Sequence, residues 1–423
     1  MTDPTPATIR PEIELILCAA RATIDPAVEA RVRRLAQATL DWDYLTNLAH
    51  THGMLPLLHQ RLERHLIRNI EQAVRLRLQE LFDRNASRNL FMTAELLRLL
   101  EMFKRRNLPA IAYKGPALAA YLYGDYALRR IDDLDLMVRK SDVWRAAEAL
   151  ASEGFEPATP ISRSSLPIYF RSECDLTYVH RRTRLVVELH WAIAPPYYGL
   201  RLQTDDLFRR IRHVGLAGFE VPMPAPESLL IALCVHGAKH LWERLEWLAG
   251  VAALTLTEFS MDWECVLRSA RSTRSERTLL LGLSLAHELL ETRLPDAVLT
   301  RIRADRYMAP LCRTVRQNLF AEKRPGSLRQ TAFRLRTQER IVDRVRYCAL
   351  RAWTPTYKDV RYLSLPPALS HLYYLFRPLR LVLTSVGYLI RKMVPGLLRR
   401  EASSRSTDPS FPGSCPSDSA GSA

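Results

Sequence analysis

Apolar positions along the chain change period twice. From Glu12 to about Arg106 they recur at helical spacing, with Leu15, Leu17, Ala20, Ile24 and Val28 set among charges. Asn89 to Lys104 places Leu90, Met92, Leu96, Leu97, Leu100 and Met102 on one broad apolar face. Asp41 is the expected N-cap of a helix opening at Trp42. Between residues 108 and 222 the pattern shifts to short apolar runs and alternations, which predict strands near 109–113, 131–138, 174–180, 183–191 and 218–223. Helices are expected near 116–123, 141–153 and 204–211, with Ser141 capping the second. From Pro226 the helical period returns, first over Glu227 to Ala253 and again over 276–320.

The alternation at Asp133-Leu134-Asp135-Leu136-Met137-Val138 brings in chemistry. Successive side chains on a strand point to opposite faces, so Asp133 and Asp135 share one face while Leu134, Leu136 and Val138 meet a core. Two carboxylates side by side repel unless a cation lies between them, and this spacing suits Mg²⁺ with phosphate oxygens. Asp132 is expected in a cap or turn role. Upstream, Leu108 to Tyr113 reads as a buried strand that breaks at Lys114-Gly115-Pro116, ahead of a helix to Tyr123. Backbone N–H groups at a helix start attract phosphate, and Gly115 permits close approach. Lys114 and Arg130 are candidate phosphate cations. A third acid is expected from a neighbouring strand. The hairpin joined at Arg181-Arg182 offers Glu188, with His190 on the same face.

These residues resemble a family. Lys114-Gly115, Tyr123-Gly124-Asp125, Arg130-Ile131-Asp132-Asp133-Leu134-Asp135 and Glu188-Leu189-His190-Trp191 are similar to the bacterial uncharacterised nucleotidyltransferases of the DNA polymerase β-like superfamily. Asp41-Trp42, His52-Gly53, Ala225-Pro226-Glu227, Leu365-Pro366-Pro367 and Tyr373 to Pro378 extend the resemblance over most of the chain. It implies an α+β fold, a polymerase β-like mixed sheet with flanking helices. It also implies catalytic, metal-binding acids at Asp133, Asp135 and Glu188, two Mg²⁺ ions, and an NTP as substrate. The implied reaction moves an NMP to an acceptor hydroxyl or phosphate, on a small molecule, peptide or saccharide. The alternatives are a nucleotide-binding protein of the same fold with weakened catalysis, and an RNA-directed nucleotide-adding enzyme. Two departures stand out. Pro116 occupies the position of a phosphate-binding hydroxyl, and Gly250 replaces an acid after Trp247-Leu248-Ala249.

His236 and His240 lie one helical turn apart, a metal-ligand spacing. No Glu follows His236, so helix packing with one histidine near the nucleotide is expected rather than a zinc protease. His190 is expected to pack beside Trp191. Pro195 to Gly199 follows the Glu188 strand as a candidate acceptor loop.

Composition narrows the classes. The chain has 423 residues and a net charge of +16, which fits nucleic acid, a membrane surface or phosphorylated small molecules. No zinc-finger or RNP-type motif is apparent, so nucleic acid is not favoured. The seven cysteines include no Cys-x-x-Cys, which argues against a disulfide framework and a structural zinc site. The start lacks a signal-peptide pattern and no long apolar run occurs, so a cytoplasmic location is expected. The expected organisation is a helical region at 1–106, the nucleotidyltransferase-like core at 107–224, a helical region packed on it at 225–322, a basic helical region at 323–400, and a disordered tail at 401–423. Within the basic region, 372–398 mixes apolar residues with Arg377, Arg380, Arg391 and Lys392. That stretch is expected to dock on its own domain, with weak contact to an anionic membrane as the alternative.

Overall fold

Helical spacing in the opening region becomes the helices Pro11–Ala20, Pro26–Ala36, Trp42–Thr51 and Leu55–His65, followed by one long helix, Gln72–Arg105. This computed structural model describes residues 10–393 except 24, 66–69, 160–165, 203, 259–260, 322–324 and 364. The polar start, Ile24, residues 394–398 and the 401–423 tail therefore lie outside the described residues. Asp41 caps its helix as expected, accepting from the Tyr44 N–H at 2.9 Å. Ser141 caps nothing: Lys140–Asp142 forms a 3₁₀ turn and the helix begins at Val143.

Five strands form one mixed sheet: β1 (Ala110–Ala112), β2 (Leu134–Val138), β3 (Phe155–Pro157), β4 (Asp175–His180) and β5 (Val186–His190). The spatial order is β1-β2-β5-β4-β3, and only β2 and β5 run parallel among these neighbours. Leu134, Leu136, Met137 and Val138 are buried, as are Val187 and Leu189. Helices cover the sheet, so its central pair has protein on both faces. The last expected strand belongs elsewhere. It is β7 (Phe219–Pro224), paired with β6 (Ile211–Leu216) in a separate two-stranded ribbon that packs beside β1.

Three helices, Pro226–Lys239, Leu245–Thr257 and Glu276–Leu290, pack together behind the sheet. Trp242 is fully buried among them. Gly237 and Gly282 make room for its ring, because a Cβ at either would collide with the indole. Beyond Leu319 come Ser327–Thr337, Ile341–Trp353, Tyr357–Tyr362 and the last helix, Tyr373–Met393. That last helix docks through Tyr373, Arg377 and Arg380 among its described side chains. Arg377 and Arg380 both reach Asp359, which itself closes a capping box with Thr356.

Candidate active site

The Gly turn and the acid strand are held together by backbone contacts. The Tyr113 N–H donates to the Asp135 carbonyl at 3.1 Å, which fixes β1 beside β2. Gly115 then adopts φ +62°, a conformation that strains other residues, and a Cβ there would lie 3.7 Å from the Asp133 carbonyl oxygen. The long helix grips the approach from the other side. Asn89 Nδ2 donates to the Tyr126 and Arg129 carbonyls at 2.7 Å each, and Asn85 Nδ2 donates to Ala127 at 2.8 Å. Arg88 donates to the Ile131 and Asp132 carbonyls at 3.0 Å. Asn85, Arg88 and Asn89 share one helical face, so a single surface positions residues 126–132.

Register does the rest. Parallel pairing sets Asp135 opposite Glu188, and antiparallel pairing sets Asp175 opposite His190. Lys114 Nζ sits 2.8 Å from Asp135 Oδ1. His190 Nε2 lies 3.0 Å from the same oxygen and 3.2 Å from Glu188 Oε2. The other imidazole nitrogen, Nδ1, lies 3.9 Å from Asp175 Oδ2. Cys174 Sγ donates to Asp175 at 3.0 Å, and Lys239 Nζ stands 3.8 Å from that sulfur. Asp133, Asp175, Glu188 and Lys239 keep some solvent contact. Beneath them, Asp135, Lys114 and His190 are buried.

The charges in this cluster shift one another. Burial, then the Asp135 charge, pushes the Asp133 carboxyl up. Asp135 moves the other way: burial opposes its charge, but Lys114 and then the His190 hydrogen bond hold it well below the ordinary carboxylate range. Burial also opposes a charged His190, yet its hydrogen bonds to Asp135, Cys174 and Glu188 raise it well above the usual imidazole value. Lys114 and the His190 hydrogen bond thus support the Asp135 charge, while burial and that charge work against a charged Asp133.

The structure brings Lys114, Gly115, Asp133, Asp135, Glu188 and His190 together. His190 does not pack on Trp191, whose ring meets Phe170 at 5.1 Å between centroids. It turns toward Tyr113 and the acids instead. Arg130 is directed elsewhere, to Asp132 at 2.9 Å and the His50 carbonyl at 3.0 Å. It borders a cavity of about 290 Å³ with Arg84 and Arg88. Asp132 has neither a cap role nor an apolar setting, because Arg130 and Arg244 (3.2 Å) pair with it. The His236 and His240 rings lie 4.7 Å apart against Trp247. Among the described residues, the groups able to share an ion are Asp135-Glu188-His190 and Cys174-Asp175-His190, and neither includes them. Burial and then Lys114 hold His236 below the usual imidazole range. The expected acceptor loop, a turn at Pro196–Tyr198, is covered by Tyr347, 5.8 Å from Tyr197 between ring centroids.

Residues 38–291, which include every member of this cluster, match the family model described as uncharacterised nucleotidyltransferase. The chain belongs to that nucleotidyltransferase family. None of the curated proteins matches it. A solved structure entitled "Solution Structure of Antibiotic-Resistance Factor ANT(2'')-Ia Reveals Substrate-Regulated Conformation Dynamics" is similar at 15% identity and a TM-score of 0.31. It spans 47% of this chain and 97% of its own, a likeness too loose to carry an argument. In this nucleotidyltransferase-family chain, Gly250 is buried against Leu122, with 3.7 Å between its would-be Cβ and Leu122 Cδ1. A carboxylate there would enter packed apolar surroundings.

Sequence reading missed Asp175, Cys174 and Lys239. The hairpin holds the signal for Asp175, because pairing outward from Arg181-Arg182 sets it across from His190. Lys239 carries no comparable sign, since only the path of its helix brings it to Cys174.

Proposed function

We propose that this protein is a metal-dependent nucleotidyltransferase that moves a nucleoside monophosphate from an NTP to an acceptor hydroxyl or phosphate and releases pyrophosphate. The observation carrying this reading is the register of Asp135 and Glu188 on adjacent parallel strands, with Asp133 entering the same strand as Asp135. The donor set fits Mg²⁺: carboxylate oxygens of three acids, one of them, Asp133, pushed toward its protonated form by burial and by the Asp135 charge. Asp133, Asp135 and Glu188 would hold two such ions, which when bound supply charge neutralisation along the triphosphate and an in-line alignment of attacking and leaving oxygens. Lys114 contributes a fixed positive charge beside the phosphates, and the Gly115 turn lets them approach the backbone. His190 orients the Asp135 and Glu188 carboxylates through its contacts with both. Glu188, half-buried, would accept the acceptor's proton.

One observation favours the alternative of a nucleotide-binding protein with weakened catalysis. Lys114 and His190 both engage Asp135 Oδ1, one of the two oxygens that carboxylate could offer an ion. Incubation with each labelled NTP, Mg²⁺ and a host small-molecule extract, read by mass spectrometry, separates the two. The expected result is a nucleotide-adduct mass with stoichiometric pyrophosphate, both abolished by EDTA. Glu188→Gln is expected to lower turnover at least 100-fold, roughly the scale of a general base, with NTP affinity little changed. NTP binding with no pyrophosphate from any extract would establish the weakened binder instead.

A further inference from the structure

The C-terminal helices carry two asymmetries that the site does not use. From Ser327 to Arg400 the sequence holds fifteen lysines and arginines against three acids. All three acids are engaged within the protein. Glu339 accepts from the Arg277 N–H, Asp343 pairs with Arg274 at 2.5 Å, and Asp359 holds Arg377 and Arg380. Most of the chain's excess of +16 is therefore concentrated in this region without compensating acids at its surface.

Exposed large apolar side chains gather in the same region. On helix Ile341–Trp353 the outward residues are Ile341, Val342, Val345 and Trp353, between 57% and 69% exposed, while Asp343 and Tyr347 are buried. On the last helix, Leu375, Leu379, Val382 and Leu383 are 57% to 72% exposed, while Tyr373 and Arg377 are buried. Gaps of four and three residues over Leu375, Leu379 and Val382, and of four from Ile341 to Val345 with Trp353 eight further on, keep each set on one side of its helix. The two helices pack against each other. Exposed Arg340, Arg346 and Arg351 accompany the first stripe. Docking on the protein has thus taken the side with Tyr373 and Arg377 and left Leu375, Leu379, Val382 and Leu383 in water.

Apolar stripes left facing water mark a contact site. Its basic surroundings decide the partner. A second copy would bring the same positive charge to the contact and be repelled, whereas an anionic bilayer offers both an apolar interior and negative headgroups. We propose that these two helices seat the protein on an anionic lipid surface, with the leucine and valine stripes entering the acyl boundary and the arginines among the headgroups.

Sedimentation of the full chain with sucrose-loaded vesicles tests this. The expected result is pelleting with phosphatidylcholine–phosphatidylglycerol vesicles, little with phosphatidylcholine alone, and release as salt rises. Leu375→Ser with Leu379→Ser, and separately Arg340→Glu with Arg346→Glu, are each expected to lower the partition constant about tenfold or more. All four positions are exposed, so circular dichroism and melting should stay as in the parent. Supernatant protein with anionic vesicles would overturn the proposal, and so would equal pelleting with both vesicle types. Concentration-dependent dimerisation by light scattering, lost in the leucine variant and without vesicle binding, would assign the face to a second copy instead.

Discussion

Asp133 and Asp135 look equivalent in sequence, yet their surroundings give them opposite effects on stability. Asp135 anchors buried Lys114 and His190, so Asp135→Asn strands the Lys114 charge and is expected to destabilise the fold by about 3 kcal/mol. Asp133 has a pKa pushed up to about 7, so the metal-free fold binds an extra proton there relative to the unfolded chain. That contribution falls away as pH rises from the ordinary carboxylate range to about 7 and is level above it. Asp133→Asn removes the penalty and is expected to raise metal-free stability at pH 8 by about 1 kcal/mol, while abolishing turnover. Melting curves of both variants from pH 5 to 8 in EDTA check this. Equal destabilisation by the two would contradict the charge arrangement. Alternation and hairpin spacing made Asp133, Asp135 and Glu188 legible as candidates. The Lys114 and His190 contacts were not, because an Asp-x-Asp pattern carries no information about which cation reaches which oxygen.

At the scale of elements, the long helix Gln72–Arg105 does more than cover the sheet. The apolar face read from its sequence is real in Met92, Leu96 and Met102, but Leu90 on the same expected face is exposed and Asn89 is fully buried. Asn89→Ala takes the side-chain donor from the Tyr126 carbonyl and leaves the Arg129 carbonyl only the longer Asn85 Nδ2 bond at 3.3 Å, at a cost of about 2 kcal/mol. The same substitution frees the segment leading to Asp133, so kcat is expected to fall with Tm. Cys312→Ala, a buried change in helix Met308–Leu319, is the control that should lower Tm alone. Unchanged kcat in Asn89→Ala would remove the long helix from the positioning role. Strong alternation made the central strands readable. β3 escaped because it is three residues long at the sheet edge and ends in Pro157, and β6 because Ile211, Arg212 and His213 all face solvent. Neither pattern distinguishes a short strand from a loop.

For the whole molecule, the helical, strand-rich, helical order was legible because the hydrophobic period itself changes. What the C-terminal helices present outward was not, since periodicity finds an apolar stripe without saying which way it faces. Their attachment depends heavily on Asp359, a fully buried acid serving both Arg377 and Arg380. Burial opposes its charge, but the Thr356 N–H, then Arg380 and Arg377, hold its pKa below the usual carboxylate range, so the stability it contributes is present at neutral pH and lost as pH falls through that lowered value. Asp359→Asn at neutral pH is expected to mimic that loss. Two guanidiniums would then share no counter-charge, and the 21-residue last helix would loosen from its neighbours. Limited trypsinolysis after Arg361 and after Arg380 should quicken severalfold, while the main melting transition stays in place. An unaltered digest would mean that Tyr373 and the Arg377–Arg351 carbonyl bond suffice. The same loosening would enlarge the Stokes radius, turning a compact body into one trailing a sticky, positively charged arm whose capture radius exceeds that of the parent.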